Sequence, residues 1–109
     1  MIKWTVETLN DAVDQELEAL PADMRARFIR VVELIETFGL EHVGPPHVKH
    51  LEGALWEMRL WGKAGIARVV YVTVTGRRVV VVRVFVKKTQ KTPRREINLA
   101  LERAKEIRK

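Results

Sequence analysis

Between Leu55 and Lys87 the chain runs through three apolar-rich segments that carry charged side chains at spacings of two, and glycine-bearing turns break the run twice. A period of two is a strand signal, and a Gly-bounded gap between two such runs is a hairpin signal. The pattern predicts three antiparallel strands, Leu55–Trp61, Ile66–Thr75 and Arg78–Lys87. Gly62-Lys63-Ala64-Gly65 is a four-residue loop between the first two. Gly76-Arg77 is a two-residue loop with Gly at its first central position, which suits a type II′ turn. These loops set a register: Trp61 opposite Ile66, Arg59 opposite Arg68, Thr75 opposite Arg78, Val70 opposite Arg83 and Arg68 opposite Phe85.

Directly opposed residues share a face of the sheet. One face then carries Glu57, Arg59, Arg68, Val70, Arg83, Phe85 and Lys87. The other carries Trp56, Met58, Leu60, Val69, Tyr71, Val80, Val82, Val84 and Val86, which is a core face with Tyr71 as a core tyrosine. Arg59 across from Arg68 is a like-charge pair, which costs stability. Two readings account for it: an anion, or a carboxylate such as Glu57, sits between the guanidinium groups, or the arginines splay into water from a solvated outer face.

Upstream, Ile2–Val6 alternates and reads as an edge strand. Thr8 is a candidate cap for a helix running through Leu20, with Leu9, Val13, Leu17 and Leu20 as its buried stripe. Pro21 opens a second helix in which Met24, Phe28, Val31, Ile35 and Phe38 recur at helical spacing, and Gly39 is its stop. The two form a helical hairpin. Leu40–Leu51 reads as irregular because of Gly44-Pro45-Pro46. His47, Lys49 and His50 follow as a basic patch; two histidines three apart without a third ligand of matching spacing do not make a metal site. After the strands, Thr92-Pro93 is a cap-then-N1 helix start, and Ile97, Ala100, Leu101, Ala104 and Ile107 stripe the last helix. Lys87, Lys88 and Lys91 lie just before that helix, where lysine charge and free backbone N–H groups favour phosphate.

The 109 residues make one domain. Lys and Arg outnumber Asp and Glu by 20 to 14, for a net charge of +6, which favours anionic partners, nucleic acid first. The absence of cysteine excludes disulfides and thiolate metal sites and is compatible with a reducing cytoplasm. Neither a signal-peptide core nor a membrane-length apolar run is visible.

Three segments carry a family resemblance: Leu51-Glu52-Gly53-Ala54-Leu55-Trp56-Glu57-Met58-Arg59, Gly65-Ile66-Ala67-Arg68-Val69-Val70-Tyr71, and Phe85-Val86-Lys87-Lys88-Thr89-Gln90-Lys91-Thr92-Pro93. On these the chain resembles the RelE/ParE superfamily of type II toxins, in its phage-associated HigB-like branch. The resemblance implies an α+β, RelE-like fold ordered β-α-α-β-β-β-α, with a twisted, mainly antiparallel sheet packed by a helical hairpin and a C-terminal helix.

It also implies a cytoplasmic mRNA interferase, an endoribonuclease that works on the ribosome without metal or small-molecule cofactor. Its partner would be a cognate antitoxin, usually of helix-turn-helix type. The implied reaction is attack of a ribose 2′-OH on the adjacent phosphate. By the same resemblance Arg59, Arg68 and Lys88 would act on the scissile phosphate, with Glu57 as base or as the residue that orients Arg59. Lys87, Lys91, Lys49, Arg83, Phe85, His47 and His50 would contact RNA, Phe85 by stacking on a base. The His or Tyr that some relatives carry near the C-terminus is missing here. Two alternatives stand beside this reading: a ParE-like inhibitor of DNA gyrase that acts by binding, and a nontoxic nucleic-acid-binding module.

Overall fold

The computed structural model describes residues 3–44 and 47–107; Ile2 and the Pro45-Pro46 break lie outside them. The elements are β1 (Thr5–Thr8), α1 (Asp11–Glu18), α2 (Ala22–Phe38), a 3-10 turn at Leu40–His42, β2 (Val48–Glu52), β3 (Leu55–Gly62), β4 (Gly65–Val74), β5 (Arg78–Lys87) and α3 (Arg94–Ala104). They form an α+β fold around one five-stranded sheet in the order β1-β5-β4-β3-β2. Among the described strands β1 runs parallel to its neighbour, β5, and the other pairings are antiparallel.

The expected irregular segment therefore hides a strand. Beyond the proline pair, β2 adds to the edge of β3, with Val48 opposite Met58 and Lys49 opposite Glu57. Its alternation is too short and too polar to stand out in sequence, and the existing edge of β3 supplies the pairing. The first helix is capped by Asn10, not Thr8: the Asn10 side chain accepts from the Val13 N–H at 3.1 Å. The Thr8 hydroxyl donates to Asp14 instead. Gly39, at φ 102°, ends α2 as expected.

The expected register holds through β3 and β4, with Arg59 opposite Arg68. The β4–β5 turn differs. Arg77 has φ 56°, which a type II′ turn does not allow at its second central position, and Val74 pairs with Arg78 across Thr75-Gly76-Arg77. The resulting offset is corrected further along. Tyr71 pairs with Val81 but Val70 with Arg83, so Val82 is an extra residue on β5, a β-bulge. Beyond it, Val70 opposite Arg83 and Arg68 opposite Phe85 stand as expected. Before it, faces exchange: Val80 and Val82 join the α3 side, and Val79 and Val81 take their places on the α1–α2 side.

β1 ends opposite Val81, so β5 backbone groups beyond it have no strand on that edge to satisfy them. Two side chains do so. Arg103 on α3 donates to the Val82 carbonyl at 2.9 Å, and Glu16 on α1 accepts from the Val84 N–H at 3.0 Å. Arg103 and Glu16 then pair with one another at 2.8 Å.

The sheet is covered on both sides. Met24, Ile35, Met58, Leu60, Val69 and Tyr71 form the core under the α1–α2 hairpin. Leu55, Val70, Val72, Val80, Val82, Phe85 and Ala100 form a second core under α3. Tyr71 is 2% exposed, and burial pushes its phenol up to about 12. The charged face is therefore the α3-covered one, and Arg59 and Arg68 do not splay into water from it.

Candidate functional site

Strand pairing presses Arg59 and Arg68 side by side, and Glu57 lies one alternation away from Arg59 on the same face. Arg68 and Glu57 are fully buried, and the Arg59 side chain is 10% exposed. Glu57 Oε1 lies 2.8 Å from Arg59 Nε and 3.6 Å from Arg68 Nη1. Of the two readings of the like-charge pair, the carboxylate between guanidiniums is the one that the fold adopts.

One carboxylate does not balance two cations, and the terminal guanidinium nitrogens of both arginines donate to the segment between β5 and α3. The Gln90 carbonyl accepts from Arg59 Nη2 at 2.7 Å and from Arg68 Nη1 at 2.9 Å. Gln90 Oε1 accepts from Arg59 Nη1 at 3.1 Å, and the Thr89 carbonyl accepts from Arg68 Nη2. Each hydrogen bond to a charged donor is worth about 1.5–3 kcal/mol. The Thr92 hydroxyl closes the network: it accepts from Arg68 Nη1 at 3.0 Å and donates to Glu57 Oε2 at 2.5 Å. Thr92 therefore does not cap α3. Pro93 stands at the cap position with no side-chain bond to the helix. Arg68 Nε is the one buried side-chain polar atom among the described residues without a partner.

Burial lowers the Arg68 pKa below that of an ordinary guanidinium; Glu57 opposes this and the Arg59 charge adds to it. An arginine with so high a starting value stays protonated regardless. Both Glu57 oxygens are committed, Oε1 to the arginines and Oε2 to Thr92. The geometry suits holding Arg59 in place.

The lysines frame this cluster. Lys87 ends β5, and Lys88 continues beside Gly65 on β4. A Cβ on Gly65 would lie 3.1 Å from the Lys87 carbonyl and 3.3 Å from Lys88 Cγ, and its φ of 134° is a glycine conformation. Lys91 is exposed. Lys49, also exposed, pairs with Glu57 across β2–β3 and so shares its face. His47 is exposed, with its ring 5.6 Å from that of Trp61, and its carbonyl accepts from the Arg59 N–H at 2.7 Å.

Three expected contact residues lie elsewhere or are occupied. His50 pairs with Trp56, on the opposite face of the sheet from Glu57, and its Nε2 lies 2.7 Å from the Gly53 carbonyl. Arg83 bridges helices, with Nε 2.7 Å from Glu96 on α3 and Nη1 2.8 Å from Glu16 on α1. Phe85 is 9% exposed in the second core with its ring centre 5.6 Å from the Arg83 guanidinium, so it offers no free face to a base. In each case a partner from α1, α3 or a turn, invisible to strand-level reasoning, claims the side chain. Conversely, Thr89, Gln90 and Thr92 belong to the cluster, two of them through backbone oxygens that carry no sequence signal. Among the described residues no three His, Asp or Glu side chains gather as a metal cluster.

Three helices on a five-stranded, mostly antiparallel sheet resemble the RelE fold. The chain is similar to a chain in the crystal structure of the archaeal RelE–RelB complex from Pyrococcus horikoshii OT3. The TM-score is 0.56 at 20% identity, over 82% of this chain and 99% of that one. Residues 15–105 match the model of the Gp49-like phage-derived proteins (DUF891), and the chain belongs to that family. No curated protein matches it.

Proposed function

We propose that the protein is the toxin of a type II toxin–antitoxin pair and a ribosome-dependent mRNA endoribonuclease of the cytoplasm, held inactive by a cognate antitoxin. The observation that carries this reading is the convergence of Arg59 and Arg68 on a single oxygen atom, the Gln90 carbonyl. Two guanidiniums that meet at one neutral oxygen are placed to meet a phosphate oxygen, which binds them more strongly. The family, the RelE fold and the RelE–RelB neighbour support the toxin class and the antitoxin partner.

The reaction is attack by a ribose 2′-OH on the adjacent phosphate, with departure of the 5′ oxygen. It needs the 2′-OH deprotonated, the phosphorane's added negative charge balanced and the leaving oxygen protonated. Arg59, which reaches solvent, contacts the phosphate. Arg68, buried behind it, holds the second oxygen and keeps the local charge positive. Lys88 and Lys91 flank the clamp and take the leaving-group side and the next phosphate. Glu57 orients Arg59. Lys87, Lys49 and His47 line the approach. With both Glu57 oxygens engaged, proton transfer depends on how the ribosome aligns the 2′-OH with the phosphate, and such alignment can supply a large share of rate acceleration.

The test is a defined mRNA incubated with purified protein, with and without translating ribosomes. Cleavage only with ribosomes, abolished by a single 2′-deoxy nucleotide at the cut, is the expected result. Cleavage that persists at the 2′-deoxy position overturns the chemistry. Intact mRNA together with inhibited DNA gyrase overturns the activity.

A further inference from the structure

We infer that Thr89–Lys91 is a displaceable strap that closes the phosphate clamp on itself, the Gln90 oxygens standing where oxygens of a phosphodiester bind. This rests on the clamp reading above and adds how the clamp is regulated. Arg59 Nη1 and Nη2 donate to Gln90 Oε1 and to the Gln90 carbonyl at 3.1 and 2.7 Å. That is the two-pronged arrangement in which a guanidinium takes two oxygens of one phosphate. The Gln90 carbonyl also accepts from Arg68 at 2.9 Å, so the mimic reaches both members of the clamp.

Charge balance favours exchange. Among the described residues Glu57 is the one carboxylate that pairs with either guanidinium, leaving one positive charge faced by neutral oxygens alone. An anionic oxygen in the same place removes that imbalance, and a carbonyl does not.

The strap is built to leave. Thr89, Gln90 and Lys91 are exposed and outside helix and strand. Among the described residues none of the three makes a backbone–backbone hydrogen bond outside the regular elements. Their attachments are the guanidinium donors themselves. The ends are firm: β5 stops at Lys87, and Thr92 is 7% exposed and bonded to Glu57. A short free segment between fixed ends can swing without disturbing the fold. Departure also carries Lys91 with it, so opening the clamp repositions a lysine beside the entering phosphate.

The chain has no cysteine, so Thr89→Cys in the full-length protein gives one attachment point for a nitroxide label. The probe ligands are inorganic phosphate and a single-stranded RNA oligonucleotide with 2′-deoxy sugars at the cut. Neither readout needs cleavage, so a failed nuclease assay and a failed strap are told apart. The expected result is a faster-tumbling label when either ligand binds. Gln90→Gly, which removes one prong and loosens the strap, should bind the oligonucleotide at least about fivefold tighter than wild type, because a smaller closed population lowers the apparent affinity less. Gln90→Glu, which puts a carboxylate on the Arg59 fork, should bind it more weakly. An immobile label in the bound protein, binding by Gln90→Gly no tighter than wild type, or no binding by any variant overturns the strap.

Discussion

Glu57 and Thr92 lie 35 residues apart and share a buried hydrogen bond of 2.5 Å. That bond joins the middle of β3 to the entrance of α3. It anchors the α3 end of the β5–α3 segment at Thr92, beside the carboxylate that separates the two guanidiniums. Removing the Glu57 charge by Glu57→Gln would leave two buried guanidiniums without an anion. Breaking a buried pair in this way costs about 3–5 kcal/mol. For a domain of this size that is a fall in Tm of more than about 10 °C. Thermal and denaturant unfolding measure it, and a variant as stable as wild type would remove Glu57 from the account.

Thr92→Val keeps the side chain's shape and deletes its hydroxyl. Glu57 Oε2 then loses its donor and Arg68 Nη1 one acceptor. An unsatisfied buried group costs about 1–3 kcal/mol. The expected loss is of that order, with α3 still formed, because the helix takes no cap bond from Thr92. Far-ultraviolet circular dichroism with denaturant titration separates the two effects.

The like-charge pairing alone predicts that Ala at either arginine leaves the fold intact or even stabilises it. The structure divides the two. Arg68 is fully buried and donates to Thr89, Gln90 and Thr92, so Arg68→Ala strands several acceptors and opens a cavity. Arg59 reaches solvent. Arg59→Lys keeps the charge and loses the fork. The expected outcome is a folded Arg59→Lys protein with ribosome-dependent cleavage reduced at least about a hundredfold, equivalent to about 2.7 kcal/mol of barrier, and an Arg68→Ala protein that is measurably less stable. Equal stability of the two variants would contradict the layered arrangement.

Glu16 governs acid stability at the bulge. Burial alone would raise its carboxyl, but Arg103, the Val84 N–H and Arg83 outweigh that and hold it below its ordinary value. A carboxyl depressed in the folded state contributes stability that is complete above its unfolded pKa of about 4.3 and is lost as pH falls through the folded value. Glu16→Gln should therefore be less stable than wild type at pH 7, with the gap narrowing at acid pH. Unfolding free energies across the pH range check this; a constant gap would count against the linkage.

The register of the charged strands was legible because short loops and period-two alternation leave little freedom, and Arg59 opposite Arg68 follows directly. The expected two-residue turn at Gly76-Arg77 does not form, yet the register at Val70 and Arg83 stands, because the bulge at Val82 compensates. Nothing in a run of valines marks which one is extra, so the faces of Val79–Val82 could not be read. The pair's surroundings were hidden for another reason. Gln90 and Thr89 act through main-chain oxygens, and Thr92 before a proline reads as a helix cap until its neighbours across the sheet are known. Arg83, Phe85 and His50 looked available because strand alternation says which face a residue takes and not what covers that face.

Mapping mRNA 5′ ends in cells after induction tests most directly whether the Arg59–Arg68 clamp cuts translated RNA. Wild-type protein should create new 5′-hydroxyl ends inside translated codons, and Arg59→Lys, produced to the same level, should not. Intact mRNA in cells making the wild-type protein, or the same cuts made by the Arg59→Lys protein, would contradict cutting by the clamp.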